Sequence, residues 1–392
     1  MTIVSIMDSG AAGLSGAAET RARPFAAVKT YANFDRAHPD WAELEAVGGG
    51  AYQSFAFARA WAATLGRRAA PMIVVARDAA DQPVALLPLY SRRIGPLRVA
   101  RFIGGAWANY QFGLFRPGSD WRADDVKALL KAAAGQANVD LFAFSYQPLE
   151  WEGAVNPLAL LPGRPSPEAA FATVLQGPHT DWMDAHFSRA TQKKMRKKMR
   201  KLEAFGAVRH RRAKTKDEAA AFLTAFLAHR ADHAKARGEP NPFARQPVVD
   251  LLRRLALSPE PMLELHALLA GERIAAVFGA MPGGRRLSGL IISYDADPEI
   301  AAATPGELLL SEVARDAIAR GLETLDLGAG ASRYKSSICE IEEPLLDSGV
   351  GVTALGRLAA PVYLLWRSAF GGVKRRPRLL RLAKRLRWAI SG

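Results

Sequence analysis

The stretch TPGELLLSEVARDAIARGLETLDLGAGASRYK, from Thr304 to Lys335, predicts a helix, a strand and a glycine turn in direct succession. Its opening TPGE has the order of a capping box, with an N-cap hydroxyl, proline at the first helical position and glutamate at the third. Apolar spacing predicts a helix over 308–320, and the alternation over 324–327 predicts a strand.

The glycine turn at 328–330 lies between the predicted strand and a Tyr–Lys pair. It is either a simple chain reversal or a device that aims Tyr334 and Lys335 at a substrate, and we expect the second. At the other end of the stretch, Gly306 leaves the backbone open to a ligand, and the partial positive charge of a helix N-terminus suits a pyrophosphate. The alternative is an ordinary well-capped surface helix. The candidate donor-binding residues are Thr304, Gly306, Glu307 and Leu308.

The positive charge of the chain is concentrated in two segments. The formal net charge is +15, and residues 189–201 and 374–392 each carry eight Lys or Arg and no acidic residue. Such blocks predict local contacts with polyanions. No aromatic residue interleaves with the cations of 189–201, which disfavours a nucleic-acid interface. The single cysteine, Cys339, excludes a disulfide framework and a clustered-cysteine metal site, and fits a reducing cytoplasm.

The pattern of predicted elements indicates two domains. A chain of 392 residues exceeds the usual size of one hydrophobic core. Helices, a three-stranded meander, a helix and a strand recur, which predicts tandem copies of one mixed α/β (α+β) domain. The beginning lacks the basic and apolar regions of a secretory signal. The predicted divisions are a flexible leader 1–24, a first domain with a proline-rich linker 25–180, a second domain 181–352 and a basic amphipathic tail 353–392.

Three segments in order resemble a known family: FGLF after WANY, then FSRATQKKMRKKMRKLEAFG, then the stretch quoted above. They are similar to GNAT-superfamily acyltransferases related to the Fem peptidyltransferases. Within these, the sequence resembles the CelD-like group associated with bacterial exopolysaccharide synthesis, and most of all the holdfast polysaccharide acetyltransferases. The resemblance implies tandem GNAT-like domains with mixed, mostly antiparallel sheets and flanking helices, and an acyl donor in the second domain.

The sequence departs from the family pattern in one respect that concerns the donor. The usual GNAT phosphate loop, Arg or Gln followed by spaced glycines, is absent, and residues 303–306 stand in its place. The long charged helical hairpin that Fem enzymes use with aminoacyl-tRNA is also not seen. We therefore expect acetyl-CoA, as a co-substrate and not a tightly bound cofactor, to be the donor.

Acyl transfer from a thioester requires a proton for the leaving thiolate. The resemblance implies that Tyr334 supplies it as general acid; the alternative is a tyrosine that packs over the turn. Lys335 would pair with a phosphate or an acidic sugar substituent, or is an isolated surface lysine. Asp326 would orient these side chains or accept the nucleophile's proton, or else it caps the amides of the turn.

The acceptor site is predicted from the basic helix and from two further groups. Phosphate oxygens accept charge-assisted hydrogen bonds, so the cations of the helix would hold the diphosphate of a sugar precursor. The alternative is a solvated helix docked through the apolar stripe Met195, Met199 and Leu202. The resemblance places His229 and Arg230 near the acceptor cleft, and it implies sugar contacts in the first domain. The candidate acceptor residues are Lys193, Lys194, Lys197, Arg200, His229, Arg230, Trp107, Asn109 and Tyr110.

Two histidines have the spacing of a possible metal site. His229 and His233 lie four residues apart and so share one helical face. No third ligand is apparent, and we predict no metal.

The tail has the pattern of a basic amphipathic helix. On a helical wheel one side is cationic and the other is formed by Leu379, Leu382, Ala383, Leu386 and Ile390. This pattern predicts an interfacial contact with an anionic membrane surface. The alternatives are a helix folded onto the protein body and a receptor for an anionic regulator such as cyclic di-GMP.

The predicted function is acyl-CoA-dependent N-acetylation of an amino sugar of an exopolysaccharide or of its lipid-linked precursor. We expect a cytoplasmic enzyme at the periphery of the inner membrane. The alternatives are a Fem-type aminoacyl transferase acting on a cell-wall precursor and a non-catalytic membrane-associated regulator.

Overall fold

The computed structural model describes residues 21–374, so the predicted leader lies almost entirely, and the tail beyond residue 374 wholly, outside the described residues. The strands are β1 (Ala27–Tyr31), β2 (Ala70–Arg77), β3 (Pro83–Ile94), β4 (Leu97–Phe102), β5 (Leu114–Phe115), β6 (Leu141–Pro148), β7 (Glu150–Trp151), β8 (Ala154–Val155), β9 (Gly163–Pro165), β10 (Ala170–Val174), β11 (Val208–Arg212), β12 (Glu264–Ala270), β13 (Arg273–Gly283), β14 (Arg286–Tyr294), β15 (Thr324–Ala329), β16 (Ile341–Glu343) and β17 (Leu345–Gly351). The helices are α1 (Phe34–Val47), α2 (Phe55–Ala62), α3 (Ala123–Ala137), α4 (His179–His186), α5 (Arg189–Leu202), α6 (Lys216–Arg237), α7 (Gln246–Ala256), α8 (Pro298–Ala302), α9 (Pro305–Ala319), α10 (Arg333–Ile338) and α11 (Ala354–Lys374).

The first sheet has the order β1-β2-β3-β4-β6-β17-β9, with β5 beside β3. Successive side chains of a strand point to opposite faces. Accordingly Ile73 and Val75 of β2 pack with α1 and α2, whereas Val74 and Ala76 pack with α3. Most neighbouring strands are antiparallel, and β4 and β6 are parallel. The sheet is therefore covered on both faces.

The second sheet has the order β11-β12-β13-β14-β15-β10-β16. One face carries Leu265 and Val277, which pack with α6 and α7 in the same apolar cluster as α1 and α2 of the first sheet. The other face carries Leu268 and Phe278, which pack with α4, α5 and α9. The cluster shared by α1, α2, α6 and α7 joins the two sheets. We call the first sheet with its helices and loops the first body, and the second sheet with its helices and loops the second body.

Two strands lie in the sheet that the predicted boundaries do not assign to them. β10 falls in the predicted linker yet pairs with β15 and β16 of the second sheet. β17 falls in the predicted second domain yet pairs with β6 and β9 of the first. The divisions at 180 and 352 therefore do not follow the sheets. These pairings join segments far apart in the sequence, and local patterns carry no signal for them.

The locally patterned elements are confirmed. The predicted hairpin around residues 78–81 is β2 and β3, and the predicted meander is β12, β13 and β14. The predicted helix over 308–320 is α9, which begins three residues earlier. The predicted α/β (α+β) class with mixed, mostly antiparallel sheets is likewise confirmed.

Candidate active site

The parallel strands β14 and β15 are paired for three residues and then diverge. Their pairing ends at Ser288 opposite Asp326, whereas β14 continues to Tyr294 and β15 to Ala329. Beyond Ser288 the two described strands share no ladder hydrogen bond. They therefore enclose a gap that widens toward their carboxyl ends.

Side chains of the first body close the narrow end of this gap. The Asn109 side-chain amide donates to the carbonyl of Gly289 at 2.8 Å, and the Tyr52 hydroxyl donates to the same carbonyl at 3.2 Å. The Asn109 amide also donates to the Tyr52 hydroxyl at 2.8 Å. Gly328 lies against this amide with a φ of +76°, and a Cβ there would be 2.1 Å from Asn109 Nδ2. Only glycine fits this turn.

The N-terminus of α9 lies beside β14 at the open end of the gap. A Cβ placed on Gly306 would be 3.8 Å from Ile292 and 3.9 Å from Tyr294. Thr304 is the N-cap residue, but its φ is +48° and its hydroxyl makes no cap hydrogen bond to the helix backbone. The predicted capping box is therefore wrong, because the left-handed backbone turns this hydroxyl away from the helix amides.

The hydroxyl of Thr304 is held by a lysine that the sequence analysis did not select. Lys198 Nζ donates to Thr304 Oγ1 at 2.7 Å and lies 3.5 Å from a carboxylate oxygen of Glu307. Thr304 donates in turn to Glu307 at 3.2 Å. An ammonium group and the positive end of the α9 dipole thus meet at one place, a combination that favours a bound anion. Leu308 is buried in the core, so its side chain is not available to a ligand.

The basic helix α5 is oriented as its apolar stripe predicts. Met195 and Met199 pack on the core of the second sheet, and Leu202 is fully buried in it. The four cations predicted to hold a diphosphate are all exposed: Lys193, Lys194, Lys197 and Arg200. Lys198 is half-buried because it borders the stripe on the helix surface. That adjacency is the sequence signal by which Lys198 could have been found.

Tyr334 lies on α10 and packs against the apolar cluster that also contains Ile292, Tyr294 and residues of α9. Burial raises the pKa of its phenol, and the charge of Arg230 acts in the opposite direction. The phenol therefore stays protonated at neutral pH, which is the state that a proton donor requires.

Arg230 of α6 is a desolvated cation on the same side of the molecule. Its guanidinium carbon lies 5.1 Å from the centre of the Phe243 ring, and its Nε is buried without a hydrogen-bond partner among the described residues. Burial lowers the pKa of this guanidinium and Arg237 lowers it further, whereas the carboxylate of Glu239, with Tyr294 and Tyr334, acts against that shift.

The neighbours of Arg230 fix α6 along β14. His229 is buried, with Nδ1 3.1 Å from Ser293 Oγ, and His233 Nε2 lies 2.9 Å from the carbonyl of Tyr294. Burial lowers the pKa of His229, which keeps the ring neutral. The side of α6 that carries both histidines is thus hydrogen-bonded to strand β14. Within the described residues no group of three His, Cys, Asp or Glu is placed to hold a metal ion.

Asp326 is part of a buried polar cluster between the two sheets. One carboxylate oxygen accepts from the Tyr110 hydroxyl at 3.0 Å and from the Gly328 amide at 2.7 Å, and the other lies 3.6 Å from Arg286. The side chain has no exposed surface. The predicted contact with a substrate proton is therefore wrong, and the alternative of a carboxylate that caps the turn is observed.

The aromatic–polar group predicted to contact sugar lies at this interface as well. Tyr110 has no exposed surface, and its hydroxyl oxygen also lies 2.9 Å from a carboxylate oxygen of Glu343, so its predicted role in sugar binding is wrong. Asn109 is engaged with Gly289 and Tyr52, as described above. Trp107 is half-buried and packs edge-on against Phe243 at 5.5 Å, which places it one ring away from Arg230.

Lys335 also differs from its prediction. Its side chain is buried, and Nζ donates to the carbonyls of Gly328 at 3.0 Å and Ala329 at 3.1 Å. Burial lowers the pKa of the ammonium group. The lysine is therefore neither exposed nor available to a phosphate, and it holds the glycine turn in place.

Two cavities lie away from the gap. One, of about 1160 Å³, lies between α2 and α7, and the other, of about 560 Å³, lies beside Trp121 and Trp151 in the first body. Neither includes a residue of α9 or α10. We place the candidate site at the gap because strand divergence, a helix N-terminus and Lys198 are found there together, and Tyr334 packs on the same apolar cluster as Ile292 and Tyr294 of β14.

The family model for the acetyltransferase (GNAT) domain matches residues 189–336. No curated protein matches the chain. Among solved structures, FemX is similar with a TM-score of 0.57 and 10% identity, over 82% of this chain and 97% of that one. A protein of unknown function from Bacteroides thetaiotaomicron has a TM-score of 0.53 and 13% identity, over 82% and 99%.

A third similar structure is the C-terminal domain of a protein from Agrobacterium fabrum named as a lysylphosphatidylglycerol synthetase. Its TM-score is 0.51 at 11% identity, over 86% of this chain and 96% of that one. These similarities run through both sheets, so the predicted arrangement of tandem GNAT-like domains is confirmed. The match over residues 189–336 is to an acetyltransferase (GNAT) domain and supports an N-acyltransferase.

Proposed function

We propose that the protein transfers an acetyl group from acetyl-CoA to an amino sugar of an exopolysaccharide, of the holdfast kind, or to its lipid-linked precursor. The observation that carries this proposal is the meeting of the α9 N-terminus with Lys198 at the mouth of the β14–β15 gap. Backbone amides and an ammonium group suit the pyrophosphate of coenzyme A. The backbone at Thr304, Gly306, Glu307 and Leu308 would contact that group.

The diverging strands favour an extended donor that enters between them. Between Leu290 and Ser293 the backbone groups of β14 on the side of the gap are not used by β15, so they are available to the amides of the pantetheine arm. This arrangement would direct the thioester along the gap. Tyr334, which follows β15 after the glycine turn, is the proton donor in this proposal.

The transfer needs one bond to form and one to break. The amine nitrogen attacks the acetyl carbonyl carbon, and the carbon–sulfur bond of the resulting tetrahedral intermediate then breaks. The departing thiolate takes the hydroxyl proton of Tyr334, and the amide nitrogen loses its extra proton to solvent, from which Tyr334 is protonated again. The raised pKa of Tyr334 keeps this proton in place until the thiolate forms.

The environment of Arg230 favours an acceptor that carries an anionic group near its amine. Because its guanidinium is partly desolvated and its Nε has no hydrogen-bond partner among the described residues, a phosphate or carboxylate of the acceptor would satisfy it. Trp107 and Phe243 extend from it as an aromatic surface on which a sugar ring can stack. The exposed cations of α5 are available to further phosphate on a lipid-linked precursor.

The second candidate is an aminoacyl transferase of the Fem type. The observation in its favour is the similarity to FemX and to the Agrobacterium fabrum domain across both halves of the chain. In this case the donor would be an aminoacyl ester, and Arg230 would bind the anionic cell-wall precursor. The identity of the donor separates the two candidates.

The test is release of free thiol from acetyl-CoA in the presence of glucosamine-type acceptors. The single cysteine gives little background, since burial raises the pKa of Cys339 to about 12 and keeps it a thiol. We expect Tyr334→Phe to slow release about 100-fold or more. Tyr90→Phe, in the first sheet, is the matched control and should leave the rate unchanged.

Failure to release thiol with any amine would contradict the proposal. Transfer from aminoacyl-tRNA under the same conditions would establish the Fem-type candidate instead.

A further inference from the structure

Helix α11 presents an apolar row to the surface. Leu355, Leu358, Val362 and Leu365 are 44%, 72%, 64% and 54% exposed. They recur at intervals of three and four residues and so lie on one side of the helix. We call these four residues the α11 row. Single exposed apolar side chains are common on proteins, but a contiguous row of this kind marks an interaction surface.

The opposite side of α11 is fixed to the first sheet. The Tyr363 hydroxyl donates to the carbonyl of Phe144 at 2.9 Å. The guanidinium of Arg367, which is 8% exposed, binds both oxygens of Asp347 at 2.6 and 3.2 Å. Burying the α11 row against the same sheet would require breaking this ion pair. The row is therefore a permanent surface feature of the folded protein.

The charges near the α11 row indicate what kind of surface binds to it. From Ala354 to Gly392 the sequence contains no acidic residue, and the segment 374–392 that continues from α11 holds eight Lys or Arg. Trp366, whose ring is 56% exposed, borders the row. No helix in residues 21–374 has both the length and the apolarity to cross a bilayer. Apolar side chains flanked by cations and an indole are typical of a helix that lies flat in a membrane interface.

We propose that α11 docks through the α11 row onto an anionic membrane surface. The membrane would be the inner membrane, contacted from the cytoplasm. This inference goes beyond the proposed chemistry and does not depend on it, because the row lies on the first body and the candidate site on the second. A docked enzyme would meet lipid-linked acceptors at the surface where they are held.

The test is co-sedimentation of the full chain with vesicles. Phosphatidylcholine vesicles that contain about 30% phosphatidylglycerol are compared with pure phosphatidylcholine, at low and high salt. We expect binding to the anionic vesicles that weakens with salt. Leu358→Gln combined with Val362→Gln should reduce the partition coefficient about tenfold, because both side chains leave the apolar boundary layer.

The matched control is Val155→Gln, which replaces a side chain that is 59% exposed on β8. It should bind vesicles as the unchanged protein does. Both variants change exposed positions, so a melting temperature equal to that of the unchanged protein shows that the fold is retained. Thiol release with a soluble acceptor should also be unchanged in both, which separates this inference from the proposed function.

Two results would overturn the inference. One is equal vesicle binding by the Leu358→Gln/Val362→Gln variant and the unchanged protein. The other is a dimer in light scattering that becomes a monomer in this variant, together with no vesicle binding by either form. That second result would assign the α11 row to a contact between two copies of the chain.

Discussion

The contact between Gly328 and Asn109 gives a prediction whose magnitude follows from the structure. In Gly328→Ala the backbone must keep a φ of +76°, which is unfavourable by about 1–2 kcal/mol for a residue with a Cβ. The new Cβ would also lie 2.1 Å from Asn109 Nδ2 and expel the amide. That loses two hydrogen bonds, each about 0.5–1.5 kcal/mol. We expect a total destabilisation of about 2–5 kcal/mol.

A matched glycine separates the two contributions. Gly321 has a φ of +75°, and a Cβ there would meet no atom within 4 Å. Gly321→Ala should therefore lower the free energy of unfolding by the backbone part alone, about 1–2 kcal/mol. The excess for Gly328→Ala over Gly321→Ala measures the contact with the first body.

A double-mutant cycle tests the same contact directly. Asn109→Ala alone should lose the two hydrogen bonds, about 1–3 kcal/mol. Since they can be lost only once, the double variant Asn109→Ala/Gly328→Ala should be less destabilised than the sum of the single variants by about 1–3 kcal/mol. The assay is urea unfolding followed by circular dichroism. Effects that add within about 0.5 kcal/mol would refute the placement of Asn109 in the gap.

Three further predictions concern single residues. Lys335→Met should lower the free energy of unfolding by about 1–3 kcal/mol, measured in urea, while the coenzyme A dissociation constant changes less than about twofold. Arg230→Met should leave the melting temperature unchanged or raise it. In the thiol assay it should increase the KM for an anionic acceptor about tenfold or more. An unchanged KM would exclude Arg230 from the acceptor site. Burial and the nearby His266 lower the pKa of His210 to about 4. The unfolded chain therefore binds an additional proton between pH 6.5 and 4, so stability should fall by about 2 kcal/mol on acidification through this interval, after a discount for the partial exposure of the ring. His210→Gln should flatten this part of the curve of unfolding free energy against pH.

The sequence patterns predicted those features whose signals are local. The apolar stripe of α5, with Met195 and Met199, has the helical spacing that its docking requires, and the meander β12–β13–β14 alternates with period two. The strand that precedes Tyr334 follows from the same kind of signal, although it runs two residues further than predicted, to Ala329. Periodicity of this kind depends on neighbouring residues alone, and the structure retains it.

The partners of buried polar residues were not predictable from local patterns. Asp326 binds Tyr110, which is 216 positions away in the sequence, and this contact decides that the carboxylate is structural. Lys335 is buried because the turn folds back over it. The hydroxyl of Thr304 accepts a hydrogen bond from Lys198, 106 positions away, and does not bind the helix amides. Long-range contacts therefore determine the positions of the Asp326 and Thr304 side chains. Long-range pairing likewise places β10 in the second sheet and β17 in the first.

The central claim is that the α9 N-terminus and Lys198 bind the pyrophosphate of acyl-CoA. Titration calorimetry with coenzyme A tests it in the unchanged protein, in Lys198→Met and in the control Lys131→Met, an exposed lysine of α3. Loss of one charge-assisted hydrogen bond, about 1.5–3 kcal/mol, should weaken binding about 10- to 150-fold in Lys198→Met only. The half-exposed pair with Glu307 contributes at most about 1 kcal/mol to stability, so the fold should persist. Equal dissociation constants for all three proteins, or no binding by any of them, would contradict the claim.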